Sequence, residues 1–315
     1  GSRMTPDLIR RVGHVRVFAA LASLISASLV IYPVLPNWFA WTLLRVCIGF
    51  SFSGVYVTAE SWLNNQSTNE TRGQTLSFYM IVQMLGIIMS QALLNVADPS
   101  DFTLFVIPSV LVSLAFIPIL LTASTAPVFE SAKSMKFKEL FIASPLGCVG
   151  MFVTGGIFSA LFGMASVWGT EAGLSVRDIS IFIASIYVGG LLMQYPIGRA
   201  SDRMDRRIMV TALALLGFFI AFVVFVFKVP FFGFLAVGFL LGGITNPLYS
   251  LLIAHTNDFL DTEQMASASS GMIFINGTGA IFGPLITGWM IEAFGPNGFF
   301  AFIGLLMGVL AIYAF

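Results

Sequence analysis

The chain is 315 residues long, with 57% hydrophobic and 10% charged residues, and 15 basic side chains balance 15 acidic ones. Ordinary soluble domains hold about 45–50% apolar residues, and a core large enough to hide the excess does not fit in this length, so a water-soluble globule is excluded. The zero net charge offers nucleic acid no electrostatic footprint.

In chain order, residues 1–16 carry charges and no short apolar core before a cleavage site, so they do not read as a cleavable signal peptide. A helical span needs about 20 apolar residues. Ten stretches qualify: 17–35, 38–63, 73–97, 102–122, 140–168, 177–198, 208–227, 230–256, 265–293 and 296–315. Strand-like alternation is absent, which excludes an outer-membrane barrel. The connections are short and rich in turn residues, such as Pro33 with Pro36, Asp98-Pro99 and Gly295-Pro296-Asn297. The longest, 123–139, holds Pro127, Lys133, Lys136 and Lys138 and reads as a linker. It would join an N-terminal bundle, 1–122, to a C-terminal bundle, 140–315. Cys47 and Cys148 sit in apolar runs without ligand spacing and read as small packing residues.

Basic residues near span ends set the orientation. One side collects Arg3, Arg10, Arg11, Arg16, Arg72, the three linker lysines, Arg199, Arg203, Arg206 and Arg207; the other has only Arg177 and Lys228. Residues 1–16, 64–72, 123–139, 199–207 and 257–264 are therefore expected to be cytoplasmic. His14 reads as an interfacial loop residue there.

The chain also repeats itself. A shift of about 192 residues lays Arg10-Arg11-Val12-Gly13-His14 over Asp202-Arg203-Met204-Asp205-Arg206, and one residue more lays Gly86–Gln91 over Gly279–Pro284. Parallel repeats build the halves of one transporter class. Four spans precede the linker and six follow it, so the first two of an expected twelve are missing and ten are present. A true ten-helix protein is the alternative.

The densest charge cluster lies between two spans. Its pattern G-x-x-x-D-R-x-x-R-R, at Gly198, Asp202, Arg203, Arg206 and Arg207, resembles the loop signature of the Major Facilitator Superfamily of transporters. The chain is also similar to the YcaD-type bacterial permeases through Leu8-Ile9-Arg10-Arg11-Val12-Gly13, Glu60-Ser61, Arg72-Gly73-Gln74 and Gln194-Tyr195-Pro196-Ile197-Gly198-Arg199. The resemblance implies an all-α membrane protein of two helical bundles. It also implies that the 198–207 loop is a latch closing the cytoplasmic face in the outward-open state. Gly198 would admit a close helix approach. Asp202 would face a helix N-terminus. Arg203 or Arg206 would bridge to a carboxylate or a helix C-terminus. A solvated, positive-inside loop is the plainer reading. Arg10 and Gly13 stand where Asp202 and Asp205 stand in the first copy, so no equivalent carboxylate latch is expected there.

Arg45 lies inside the second span, and a charge inside a membrane is a functional-site hypothesis by default. Arg45-Val46-Cys47-Ile48-Gly49 matches the R-x-x-x-G of the family's fourth helix, to which the resemblance attributes proton coupling. Glu60 lies fifteen positions on, about 60° around the helix and about 22 Å along it. The two cannot pair directly. Arg45 could be a structural arginine satisfied by carbonyls, and Glu60 could be solvated at the interface.

Uncharged polar stripes form the candidate substrate cavity: Tyr79 and Gln83 on the third span, Tyr187 and Gln194 on the sixth, Asn246 and Tyr249 on the eighth, Asn276 on the ninth. The same groups would also serve helix–helix hydrogen bonds. Gly279, Gly283 and Pro284 resemble the family's antiporter motif, but on another helix, and read as close packing with a bend. The many Phe and Met read as lipid-facing or packing residues, not as an aromatic binding box. There is no phosphate-binding loop, metal-spaced histidine pair or catalytic triad, so an enzyme, a cofactor or a metal is not expected. The function expected is secondary active transport of a small solute across the cytoplasmic (inner) membrane by a monomer. Its partners would be lipids and, where transport is coupled, protons. A non-transporting membrane sensor or a membrane-embedded enzyme is the alternative.

Overall fold

The structure, a computed structural model, describes residues 4–66, 72–98, 100–121, 137–201, 203–227, 229–260 and 262–315. All regular structure among the described residues is helical: α1 Thr5–Val12, α2 His14–Val34, α3 Trp38–Gln66, α4 Arg72–Leu93, α5 Thr103–Ala115, α6 Ile117–Leu121, α7 Phe137–Ala143, α8 Pro145–Phe158, a π-helical turn Ser159–Met164, α9 Ala165–Glu171, α10 Val176–Ser201, α11 Arg206–Val226, α12 Phe231–Asn257, α13 Thr262–Phe294 and α14 Gly298–Ala314. Among the described residues, eight helical segments are long and apolar enough to cross a membrane; Ile81–Leu93 and Gly298–Ala314 are apolar but shorter. The chain is a multi-pass membrane protein.

Three expected spans differ from the helices formed. The 102–122 stretch breaks at Phe116 between α5 and α6. Pro118 lacks an N–H and its ring crowds the carbonyl one turn back. The 140–168 span starts only at Pro145, where the Ser144 hydroxyl accepts a hydrogen bond from the Gly147 N–H at 3.2 Å and proline takes the first turn, a strong start signal. The 73–97 span ends its helix at Leu93. Most of the expected linker falls outside the described residues.

The chain forms two compact units, Gly1–Leu85 with Leu93–Ser131, and Gly86–Ala92 with Ala132–Phe315. In the first, α2 packs on α3 and α5, with Ile9, Val17 and Leu21 at its buried centre. Ser26, Ser109 and Ser113 join α2 to α5: the Ser26 hydroxyl lies 2.8 Å from that of Ser109 and 2.9 Å from that of Ser113. His14 is a correction. It is fully buried as the first residue of α2, its Nε2 3.1 Å from the Ser61 hydroxyl and its ring beside Trp62. The turn needed to bury it is made by Gly13, at φ 87°, a conformation that glycine adopts without strain.

In the second unit, α8 packs on α13, α10 on α12, and α11 on α12 and α14. Lipid is as apolar as leucine, so close packing rather than the hydrophobic effect holds such helices together. A Cβ on Gly189 would lie 1.8 Å from the Phe239 carbonyl oxygen, and one on Gly242 2.0 Å from that of Ile186. These glycines let the backbones of α10 and α12 touch. An aromatic core fills the end of the unit: Trp168 packs against Phe182, Phe234, Phe299 and Phe300 at ring distances of 4.6, 5.1, 5.4 and 5.2 Å, stacked on Phe299 and edge-on to Phe234 and Phe300. After α9, Gly173 N–H bonds the Thr170 carbonyl and Leu174 N–H that of Gly169, closing the helix in a Schellman motif.

The internal repeat has a structural counterpart. Helices α2 and α11 are both 21 residues long, starting at His14 and Arg206, and α3 and α12 start at Trp38 and Phe231. Each of α2 and α11 packs on the helix that follows it and on a later apolar one. Their N-caps are Gly13 and Asp205.

Candidate functional site

The 198–207 loop begins inside α10, which runs to Ser201. Asp202 lies outside the described residues. Gly198 is a correction: a Cβ there would meet nothing within 4 Å, so no close helix approach requires glycine at that position. Asp205 caps α11, its carboxylate accepting from the Arg207 N–H at 2.8 Å. Arg203 is exposed. Arg206 forms an ion pair with Asp258, just past the end of α12. Arg207 donates from Nε to the Ala314 carbonyl at 2.7 Å and from Nη2 to that of Phe315 at 2.9 Å. Cations suit a helix C-terminus, whose carbonyls lack internal partners. Asp205, Arg206, Arg207, His255, Asp258 and Phe259 line a cavity of about 430 Å³ at this end of the unit.

In the first unit, Arg45 is exposed and makes no hydrogen bond or ion pair with the described residues. Glu60 is half-buried near the end of α3. Among the described residues, Tyr79 on α4 has a buried hydroxyl without a hydrogen-bond partner. Gln83 is half-buried one turn on.

In the second unit the candidate cavity residues divide. The Asn276 amide donates to the Met151 carbonyl at 3.0 Å, tying α13 to α8. A Cβ on Gly279 would lie 1.9 Å from the Phe152 carbonyl oxygen, and one on Gly283 1.7 Å from the Ser159 hydroxyl and 2.9 Å from the Gly156 carbonyl. Pro284 follows inside α13 without breaking it. Asn276 and the two glycines thus serve one close contact. Gln194 donates to the Ser250 hydroxyl at 2.8 Å, joining α10 to α12, and Asn246 lies over Gly190, whose Cβ would fall 2.1 Å from its amide nitrogen. Tyr187 and Tyr249 meet through two phenylalanines: Phe162 lies 4.6 Å from Tyr187, Phe158 5.8 Å from Tyr249, and the phenylalanines are 5.5 Å apart. Phe162 sits on the π-helical turn and Phe158 directly precedes it. Such turns recur at functional sites.

Residues 146–315 match the family described as the Major Facilitator Superfamily. The chain belongs to the Major Facilitator Superfamily. Relatives in this superfamily include the uncharacterized transporter YfkF of Bacillus subtilis, 24% identical over 95% of this chain and 78% of its own length. The uncharacterized YcaD of Escherichia coli O6:K15:H31 is 24% identical over 96% of this chain and 79% of its length. Among solved structures, a bacterial homolog of the human lysosomal transporter Spinster, inward-facing and occupied, gives a TM-score of 0.74 at 15% identity. It covers 99% of this chain and 82% of the other. The Escherichia coli fucose:proton symporter FucP gives 0.56 at 15% identity, covering 98% and 85%. These likenesses establish the superfamily fold. Membership makes the chain a transporter-family protein rather than an enzyme.

Proposed function

We propose that the protein is a secondary transporter that moves a small solute across the cytoplasmic membrane by alternating access, as a monomer and with protons as the coupling ion. The paired helices α2/α11 and α3/α12, matched in spacing and packing order, carry this reading. Two such halves rocking about a shared site are how parallel-repeat transporters expose it to each side in turn. The division into bundles 1–122 and 140–315 around a 123–139 linker belongs to the same proposal. The proton assignment is supported by Glu60, a half-buried carboxylate in an otherwise apolar helix. FucP, a fucose:proton symporter that shares the fold, points the same way.

The solute site is assigned to Tyr79, Gln83, Tyr187, Gln194, Asn246, Tyr249 and Asn276, and the gate to the 198–207 loop. The test is reconstitution into proteoliposomes. A screen of radiolabelled solutes should yield one that exchanges by counterflow without a gradient and accumulates only when an inward proton gradient is imposed. Counterflow without any gradient dependence would remove the coupling, and no flux of any solute would remove the transporter reading.

A further inference from the structure

The second unit holds two aromatic clusters that differ in one respect. Trp168, Phe182, Phe299 and Phe300 are at most 1% exposed and form part of the core. Phe158, Phe162, Tyr187 and Tyr249 are all partly open, although their neighbours Ile157, Ile186 and Leu248 are sealed. The open rings converge from three separate helical segments onto a π-helical turn, and they meet at tilts of 32–53°. Tilted, offset rings leave faces and edges available to a further ring.

The charge around them is equally distinctive. The segments carrying the four rings hold no Asp, Glu, Lys, Arg or His over 145–170, 179–198 and 231–254. Polar groups on the same helices include the Gln194 amide, bonded to the Ser250 hydroxyl, and Asn246. A net charge placed among these rings would lose its water without gaining a counter-charge from these three segments, at a cost of several kcal/mol by general estimates for buried ions. An uncharged ligand meets no such cost.

We propose that Phe158, Phe162, Tyr187 and Tyr249 form the solute-binding wall of this unit, and that the solute is an uncharged molecule with an aromatic ring. The inference rests on the transporter reading above and narrows its substrate class. Ring faces also attract organic cations, so the experiment separates the two.

The probe is 2-naphthol, uncharged at neutral pH. Trimethyl(2-naphthyl)ammonium and 2-naphthalenesulfonate are its cationic and anionic counterparts. Binding is measured on the full chain in lipid nanodiscs, with partition into empty nanodiscs subtracted. Saturable binding of 2-naphthol is expected, tighter than for either ion. Phe162→Leu and Tyr187→Leu should each weaken it about tenfold or more, the scale of a central aromatic anchor. Tyr187→Phe, which keeps the ring, should stay within about threefold on the same scale. Unfolding midpoints confirm that the variants are folded; if Phe162→Leu is not, Tyr249→Leu replaces it. Binding no greater than in empty nanodiscs, binding indifferent to ring removal, or tighter binding of the cation would each overturn the proposal. Counterflow of some other solute without ring-dependent naphthol binding would keep the transporter reading and sink this one. Ring-dependent binding with no flux of any solute would do the reverse.

Discussion

The side-chain amide of Asn276 lies 3.0 Å from the carbonyl of Met151, and three residues on, Gly279 faces the Phe152 carbonyl with no room for a methyl group. Helices α8 and α13 are thus clamped backbone to backbone. Gly279→Ala would place a Cβ 1.9 Å from a main-chain oxygen, which cannot turn aside as a side chain could. The helices must part, at about 1–3 kcal/mol or more. Gly86→Ala, where nothing lies within 4 Å, should be neutral or stabilising by roughly 0.5–1 kcal/mol through helix propensity. Thermal-unfolding midpoints of the two purified variants should move in opposite directions or only the first should fall. Equal midpoints would mean that α8 and α13 are further apart.

The hydroxyl cluster of Ser26, Ser109 and Ser113 is the polar seam between α2 and α5. Ser109 is the most buried member and both donates to the Ser26 carbonyl at 3.0 Å and meets its hydroxyl. Interhelical hydrogen bonds in membranes are worth about 0.6 kcal/mol on average, with a maximum near 1.7. Ser109→Ala should therefore lower stability within that range, and Ser113→Ala less. Denaturant titration followed by circular dichroism would measure it. A loss much above the range would point to a role beyond this seam.

Arg206 and Asp258 form a pair that is partly open to water, with side-chain exposures of 26% and 47%. Water and salt screen such pairs, which typically contribute about 0.2–1 kcal/mol. A double-mutant cycle with Arg206→Gln and Asp258→Asn should return a coupling of that size that shrinks as salt rises. If the loop is a gate, the same variants should also raise the labelling rate of a cysteine placed on it. Coupling without any change in labelling would leave the pair as a local brace.

The apolar runs were legible in the sequence because a membrane helix must satisfy its backbone internally and present about 20 apolar residues to lipid. The repeat that pairs α2 with α11 and α3 with α12 followed from the same pattern. The break at Ser144-Pro145 had its own signal, a capping residue followed by proline, and was masked by the unbroken hydropathy around it. The π-helical turn at Ser159–Met164 had none, since nothing in SALFGM departs from an ordinary apolar helix. Glycines were the least legible. Gly198 and Gly279 are identical in the sequence, yet one faces open space and the other a carbonyl. That difference lies in the path of another helix. The same holds for Asn276 and Gln194, whose amides bond to α8 and α12. Periodicity identified their stripe but not their partners.

Glu60 and Arg45 share α3, and their chemistry separates their roles. Arginine keeps its charge at any accessible pH, so Arg45 can act only as a fixed charge, holding an anion or favouring ionisation of a nearby carboxylate. Glu60 can exchange a proton, and Tyr79 on the next helix carries a buried hydroxyl. If uptake is proton-driven through Glu60, Glu60→Gln should abolish accumulation against a gradient while counterflow exchange persists, because exchange needs the conformational cycle but no net proton movement. Arg45→Lys keeps the charge and loses the planar fork; it should impair transport without abolishing it. Tyr79→Phe removes the hydroxyl with little change in shape. It should move the pH at which uptake is half-maximal if that hydroxyl meets Glu60 during the cycle. Both activities are to be measured in proteoliposomes across about pH 5–8. Full gradient-driven uptake by Glu60→Gln would take Glu60 out of the mechanism. An unchanged pH profile in Tyr79→Phe would leave Glu60 acting without that hydroxyl.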